Sequence, residues 1–452
     1  MATTPAFSPE VFLARRAEVL RRMREMAPGR SVAVFPATPV ATRNHDVEHP
    51  YRADSDLFWL TGFEEPEAVA VLSTEGKPLT LFVRPRDRER EVWTGRRAGV
   101  DGAQAAFGAD QAFTIDELDK ELPALLGSAG TLFYRLGAVD PAFDVRIART
   151  LQMLRMRSRA GAAAPPRLED PGQIVHELRL RKSPEELHAL RKAVELTRKA
   201  HLAAMAAGQP GSHEYELQAL LEREFRGGGG RGWGYYPIVA AGANATVLHY
   251  NDNSDPIREG DLVLIDAGAE ADLYTADVTR TFPASGRFTA PQRAAYSLVL
   301  AAADHAIAAA RPGETLDALH EGAVRILTEG MVRLGLLAGD VDQLIKDNAY
   351  RRYYMHRTSH WLGLDVHDAG DYRGRDGGPR RLEPGMVFTV EPGLYVAPDD
   401  DKAPPELRGV GIRIEDDILV TEGGHQNLTA EIPRTLDAVE AAARRTPTSS
   451  PP

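Results

Sequence analysis

The sequence predicts two domains: an α/β domain at the N-terminus, then a domain in which helices precede strands. Three observations predict this. At 452 residues the chain exceeds what one hydrophobic core ordinarily organises. The stretch Ser158 to Gln173, SRAGAAAPPRLEDPGQ, is rich in Ala, Pro and Gly and has little hydrophobic periodicity, as expected of a linker or surface loop. The patterns on its two sides also differ. Before it, short apolar runs (SVAVF, AVAVL, LTLFV) alternate with helical patterns. After it, long helical patterns come first.

The first of these helices begins at Ser183-Pro184-Glu185-Glu186, which supplies an N-cap serine, a proline at the first helical position and a glutamate three residues past the cap. It is predicted to run to about Ala207. A second helix is predicted from about Glu214 to Phe225, stopping at Gly227 to Gly230, with strands to follow. The glycine-rich RGGGGRG lacks the GK[ST] ending of a phosphate loop and follows no apolar strand, so it reads as a flexible turn. RPRDRERE mixes both signs of charge and reads as solvated surface.

Two distant segments share a pattern. Gly260 to Gly268, GDLVLIDAG, and Gly385 to Gly393, GMVFTVEPG, each have a glycine, a mostly apolar five-residue run, an acid, and a glycine two residues later. A separation above 100 residues is too long for a solenoid and fits two related halves of one domain facing each other across a site.

Composition narrows the function. An apolar share of 43% with 26% charged residues is that of a soluble globular protein. Apolar stretches such as Leu262 to Ile265 and Val387 to Val390 fall far short of the roughly 20 residues of a membrane span. The N-terminal segment interleaves acids and arginines and does not read as a secretory signal, so a cytoplasmic location is expected. Without cysteine, any metal must be held by oxygen and nitrogen. A net charge of −11 opposes phosphate binding, so no nucleic-acid partner is expected.

The chemistry lies in acids and histidines. A carboxylate at the end of a buried strand needs a partner, which singles out Asp266 and Glu391. Asp277, in TADVTRTF, and Glu415, in GIRIEDDILV, lie in segments of strand-like character, so four acids are expected to project from four strands. Acids converging without cations repel one another, whereas divalent metal turns that repulsion into binding. Salt bridges to Arg280 and Arg413 are the plainer explanation for any one of them. His356, His360 and His367 cluster in YMHRTSHWLGLDVHD; residues four apart share a face in a helix or a strand. Arg413 lies two residues before Glu415, so on a strand it would share a face with that acid and could orient it.

The segments VLIDAG with ADVTRTF, MHRTSHWLGLDVHD, EPGMVFTVEPGLY and GIRIEDDILVTEGG resemble the metal-binding motifs of the pita-bread metallopeptidases, in their aminopeptidase P branch. YRADSDLFWLTGFEEPEAVAVL and EVWTGRRAGVDGA extend the resemblance over the N-terminal domain. It implies an α/β N-terminal domain at 1–172 and an α+β pita-bread (creatinase/aminopeptidase-like) catalytic domain at 173–452. It also implies two divalent ions, most consistent with Mn²⁺, held by Asp266, Asp277, His360, Glu391 and Glu415. In that scheme Asp277 and Glu415 bridge the ions, Asp266 binds one, and His360 with Glu391 binds the other.

The implied activity is hydrolysis of the Xaa-Pro bond by a hydroxide on the two-metal centre, releasing the first residue from peptides with proline in second position. Glu391 would move the proton. His356 or His367 would support the oxyanion, with Arg413 beside the ligands and His249, Tyr395, Asp46 and Trp93 near substrate. The plainer reading of Asp46 is a surface acid, and of Trp93 a core aromatic. A homodimer or homotetramer is implied as well. One departure is Arg357, which follows His356 where relatives commonly have glycine. Other readings on this fold are an Xaa-Pro dipeptidase, a non-catalytic binding protein and a metal-free creatinase-like hydrolase.

Overall fold

The computed structural model describes residues 7–444 and places them in two compact units, the first ending at Leu178 and the second starting at Arg179. The first unit is built on a six-stranded mixed sheet. Its order is Gln111–Thr114, Leu79–Val83, Val69–Ser73, Ser31–Pro36, Thr131–Phe133 and Arg167–Glu169. The three apolar runs seen in the sequence are its central strands, buried at every position, as befits a sheet covered on both faces.

The stretch expected to be a linker is partly structured. Arg167–Glu169 pairs in parallel with Thr131–Phe133 as the edge strand. It is short and largely exposed, so no apolar alternation betrayed it. Trp93 is not a core aromatic either. It lies on the short helix Arg88–Thr94, which buries no residue, and is 87% exposed beside the equally exposed Val92.

The second unit opens with the helix Pro184–Ala207. Its capping box is complete: the Ser183 hydroxyl accepts from the Glu186 amide, and the Glu186 carboxylate accepts from the Ser183 amide. The helix Glu214–Gly227 follows, two residues longer than expected. Its core joins these helices and Ala290–Ala309 and Leu316–Arg333 to the strands through residues such as Leu221, Phe225, Val263, Val299 and Ile412.

The two similar segments form equivalent hairpins. Leu262–Asp266 pairs antiparallel with Thr279–Pro283, setting Asp266 opposite Thr279, and Val387–Val390 pairs antiparallel with Asp416–Thr421, setting Val390 opposite Asp416. Each half thus brings one acid from the end of its first strand beside another from the entry to its second. Only Asp266 lies within a strand, however; Asp277, Glu391 and Glu415 occupy breaks next to strands. At those breaks the backbone leaves its own ladder and bonds the opposite half or a loop: the Glu415 amide donates to the Thr279 carbonyl, and the Glu391 amide to the Thr358 carbonyl. The seam is also pinned by Arg280, which reaches Asp416 at 2.7 Å with both side chains fully buried.

Candidate metal centre

Burial of charge defines the site. Asp277 and Glu415 are 4% and 2% exposed, and Asp266 and Glu391 face the same cavity of about 840 Å³. Asp277, His360 and Glu415 offer ligand atoms that all lie within 4.8 Å of one another. The salt-bridge explanation holds for one acid only. Arg413 Nη2 lies 2.6 Å from Asp266 Oδ2, while Arg280 is taken by Asp416. Arg413 therefore does not orient Glu415 directly, as its spacing suggested. The Thr279 hydroxyl stands between them, accepting from Arg413 Nε at 3.1 Å and donating to Glu415 Oε2 at 2.6 Å.

His356 and His360 lie on an irregular loop. Thr358 to Leu362 runs extended beside Val387–Val390: the Leu362 amide donates to the Val387 carbonyl, Thr389 to His360, and Glu391 to Thr358. This pairing sets His360 Nε2 at 3.3 Å from Asp277 Oδ2 and 3.4 Å from Glu391 Oε1. His360 Nδ1 is 3.0 Å from the Trp361 carbonyl, which can only accept, so Nδ1 carries a proton and Nε2 is the nitrogen turned to the acids. A histidine that donates its other nitrogen to a backbone carbonyl is oriented as a metal ligand.

The electrostatics are those of a cation-binding centre. Burial and the charges of Asp277 and Glu391 push the Glu415 carboxyl well above the usual range. Burial also pushes Glu391 up to about 7, against the pull of His360. Although burial alone would lower it, His360 is raised to about 9 by its contact with Asp277 and the charge of Glu391. Four carboxylates face the guanidinium of Arg413 and the charged ring of His360, and divalent cations would supply the missing positive charge. The donor set of oxygens with one imidazole fits such ions.

The other expected residues are divided. His249, His356, His367 and Arg413 line the cavity. The His367 ring stands edge-on to that of His360, with centroids 4.4 Å apart. His356 has both nitrogens engaged: Nδ1 donates to the Arg357 carbonyl at 2.8 Å, and Nε2 is 2.9 Å from the Tyr395 hydroxyl, which accepts from Arg413 at 3.0 Å. Burial lowers His356 to about 4, so it is neutral and locked in one tautomer. Asp46 is exposed in the turn between Thr42–Asn44 and Val47–Glu48 of the first unit.

Four contributors were not singled out in the sequence. The Tyr235 hydroxyl lies 2.6 Å from Asp266 Oδ1 and 2.5 Å from Asp277 Oδ1. Burial and those two charges hold the phenol well above its usual pKa, so it stays a donor. Beneath the histidine loop, Asp368 accepts from Arg179 at 2.5 Å and from Lys182 at 3.1 Å in a fully buried cluster. Only Asp368 lies in a segment with visible chemistry, DVHD.

The profile of Metallopeptidase family M24 matches residues 188–422, and that of the Aminopeptidase P, N-terminal domain matches residues 12–134. The Xaa-Pro aminopeptidase of Escherichia coli (strain K12) is 46% identical over 437 residues, spanning 95% of this chain and 98% of the relative. Human Xaa-Pro aminopeptidase 3 is 34% identical over 97% of this chain and 86% of the relative. Among solved structures, the Pseudomonas aeruginosa aminopeptidase PepP superposes with a TM-score of 0.93 at 47% identity, covering 97% of this chain and 98% of the other. A zinc-substituted E. coli aminopeptidase P in complex with product gives a TM-score of 0.92 at 45% identity, with the same coverage.

Proposed function

Because the chain belongs to metallopeptidase family M24 and carries the N-terminal domain of aminopeptidase P ahead of that domain, we propose the following account of its site. The protein is an Xaa-Pro aminopeptidase, a metal-dependent hydrolase that releases the N-terminal residue from peptides with proline in second position. Its second domain has the α+β pita-bread fold and its first an α/β fold; we place the boundary between them at 172/173, a few residues before the division of the two compact units at Leu178/Arg179.

The observation that carries the reading is the orientation of His360, its Nδ1 proton held by a backbone carbonyl and its Nε2 turned to Asp277 and Glu391, where it can bind metal once it sheds its second proton. With Asp266 and Glu415 it completes a set for two divalent ions. We assign Mn²⁺, because a carboxylate-rich set with one imidazole suits it. Bound divalent ions supply a Lewis acid for the scissile carbonyl and lower the pKa of a water toward about 7. Glu391 takes a proton from the attacking water on its carboxylate and passes it to the departing prolyl nitrogen. His367 is the better donor to the developing oxyanion, since both nitrogens of His356 are engaged. His356 instead holds Tyr395, and through it Arg413, in place. An X-Pro amide has no N–H to read, so the ring must be recognised by shape, which the apolar wall of Ile238, Leu248 and Val366 supports.

Asp46 and Trp93 are assigned to substrate contact, and His249 to the pocket wall. Exposure of Trp93 beside Val92 supports a homodimer or homotetramer in which another subunit covers them. A cytoplasmic setting belongs to the same reading, and cell fractionation checks it. The central test is mass-spectrometric product analysis of the Mn²⁺-loaded protein with an Xaa-Pro-Xaa tripeptide and an Xaa-Pro dipeptide, beside a chelated control. Chelator-sensitive release of the first residue from the tripeptide is expected; cleavage confined to the dipeptide would make the protein a dipeptidase.

A further inference from the structure

The charged residues lining the cavity fall into two groups. Deep in it lie the four acids and Arg413; the rest are Asp317, Arg357 and Arg373. Exposure separates the groups. The Asp277 side chain is 6% exposed, whereas those of Arg357 and Arg373 are 56% and 64% exposed, so the second group forms the mouth. Asp317, in the first turn of the helix Leu316–Arg333, is the carboxylate these two arginines share. Arg357 ion-pairs with one of its oxygens, while Arg373 stays 3.7 Å from the other, beyond hydrogen-bonding distance. Two guanidiniums on one carboxylate leave the mouth with a net positive charge above an acidic floor.

Resting on the aminopeptidase reading, the direction of the substrate is fixed by its chemistry. One residue precedes the scissile bond, so the substrate ammonium stays within about 4 Å per residue of the reacting carbonyl, near the acids. Everything beyond proline runs outward. We propose that Arg357 and Arg373 select peptides bearing a carboxylate shortly after proline, either the free C-terminus of a short peptide or an acidic side chain. A guanidinium fork pairs with a carboxylate in two parallel hydrogen bonds, and Arg373 is placed to offer one.

The test compares kcat/KM of the Mn²⁺-loaded wild type and an Arg357→Gln/Arg373→Gln double variant on four peptides: Ala-Pro-Ala-Ala, its C-terminal amide, Ala-Pro-Asp-Ala amide and Ala-Pro-Lys-Ala amide. The wild type is expected to favour a carboxylate-bearing peptide over the neutral amide by about fivefold, the size of an exposed charge pair. That ratio should shrink in high salt and approach one in the double variant. Preference for the free acid alone identifies the chain end as the source, and preference for the aspartyl amide alone identifies the side chain. Equal ratios in wild type and variant, or no discrimination by the wild type, would overturn the proposal. If the wild type cleaves none of the four, the peptidase reading itself fails and takes this inference with it.

Discussion

Replacing Tyr235 with phenylalanine deletes one hydroxyl and keeps the ring. That hydroxyl sits within 2.6 Å of both Asp266 and Asp277, yet it has one proton and can serve one carboxylate at a time. The loss is therefore one hydrogen bond to a charged acceptor, about 1.5–3 kcal/mol. At 1.4 kcal/mol per tenfold this corresponds to roughly 10- to 100-fold in binding, the range expected when a partner that orients a metal ligand is removed. Apoprotein prepared by chelation and titrated with Mn²⁺ against a competing chelator reads the affinity directly, and circular dichroism confirms an intact fold. Tyr235→Phe should bind that much more weakly. Affinity equal to or tighter than the parent's would refute the idea that the phenol holds the two aspartates for metal.

Asp277→Ala or Glu415→Ala should abolish metal uptake with little loss of fold, read by elemental analysis and circular dichroism; activity retained without metal would sink the two-metal mechanism. His367→Ala should lower turnover while metal occupancy stays near full. Metal binding should strengthen as pH rises toward about 9, because His360 must shed its proton to bind, and calorimetry in two buffers should show proton release. His201, fully buried with Nε2 3.0 Å from the Ala267 carbonyl, is lowered by burial from 6.5 to about 4. The unfolded chain then binds the extra proton first, so this stabilisation is complete above about 6.5 and is lost as pH falls through about 4, roughly 3 kcal/mol in all. Urea unfolding of His201→Gln should be flatter across that window; curves parallel to the parent's would contradict it.

What was legible in the sequence were features that repeat or break local rules. Asp266 and Glu391 stood out because each ends a buried apolar run and the two runs match. Ser183 to Glu186 marked a helix start because capping is local. What stayed hidden depends on tertiary distance. Tyr235 lies in GWGYYP, with no periodicity and no polar neighbour to suggest a partner 31 and 42 residues away. The partner of Arg413 was misjudged because two-residue spacing implies a shared face only while a strand continues, and this strand ends at Arg413 itself. The edge strand Arg167–Glu169 escaped because it is too short and too polar to alternate.

The seam between the two hairpins has a thermodynamic consequence. In the proposed centre neither hairpin would hold a complete ligand set: one brings Asp266 and Asp277, the other Glu391 and Glu415, with His360 laid alongside the second. Ions bound across the seam would act as a clasp whose strength is set by their free concentration, growing as the logarithm of that concentration over the dissociation constant. Metal supply would then tune how tightly the halves hold together as well as how fast the protein works. A chelated sample should lose rigidity first where the hairpins meet, and exchange of the Glu415 amide, which donates to the Thr279 carbonyl, and of the Asp277 amide, which donates to Asp417, would report it before any global unfolding.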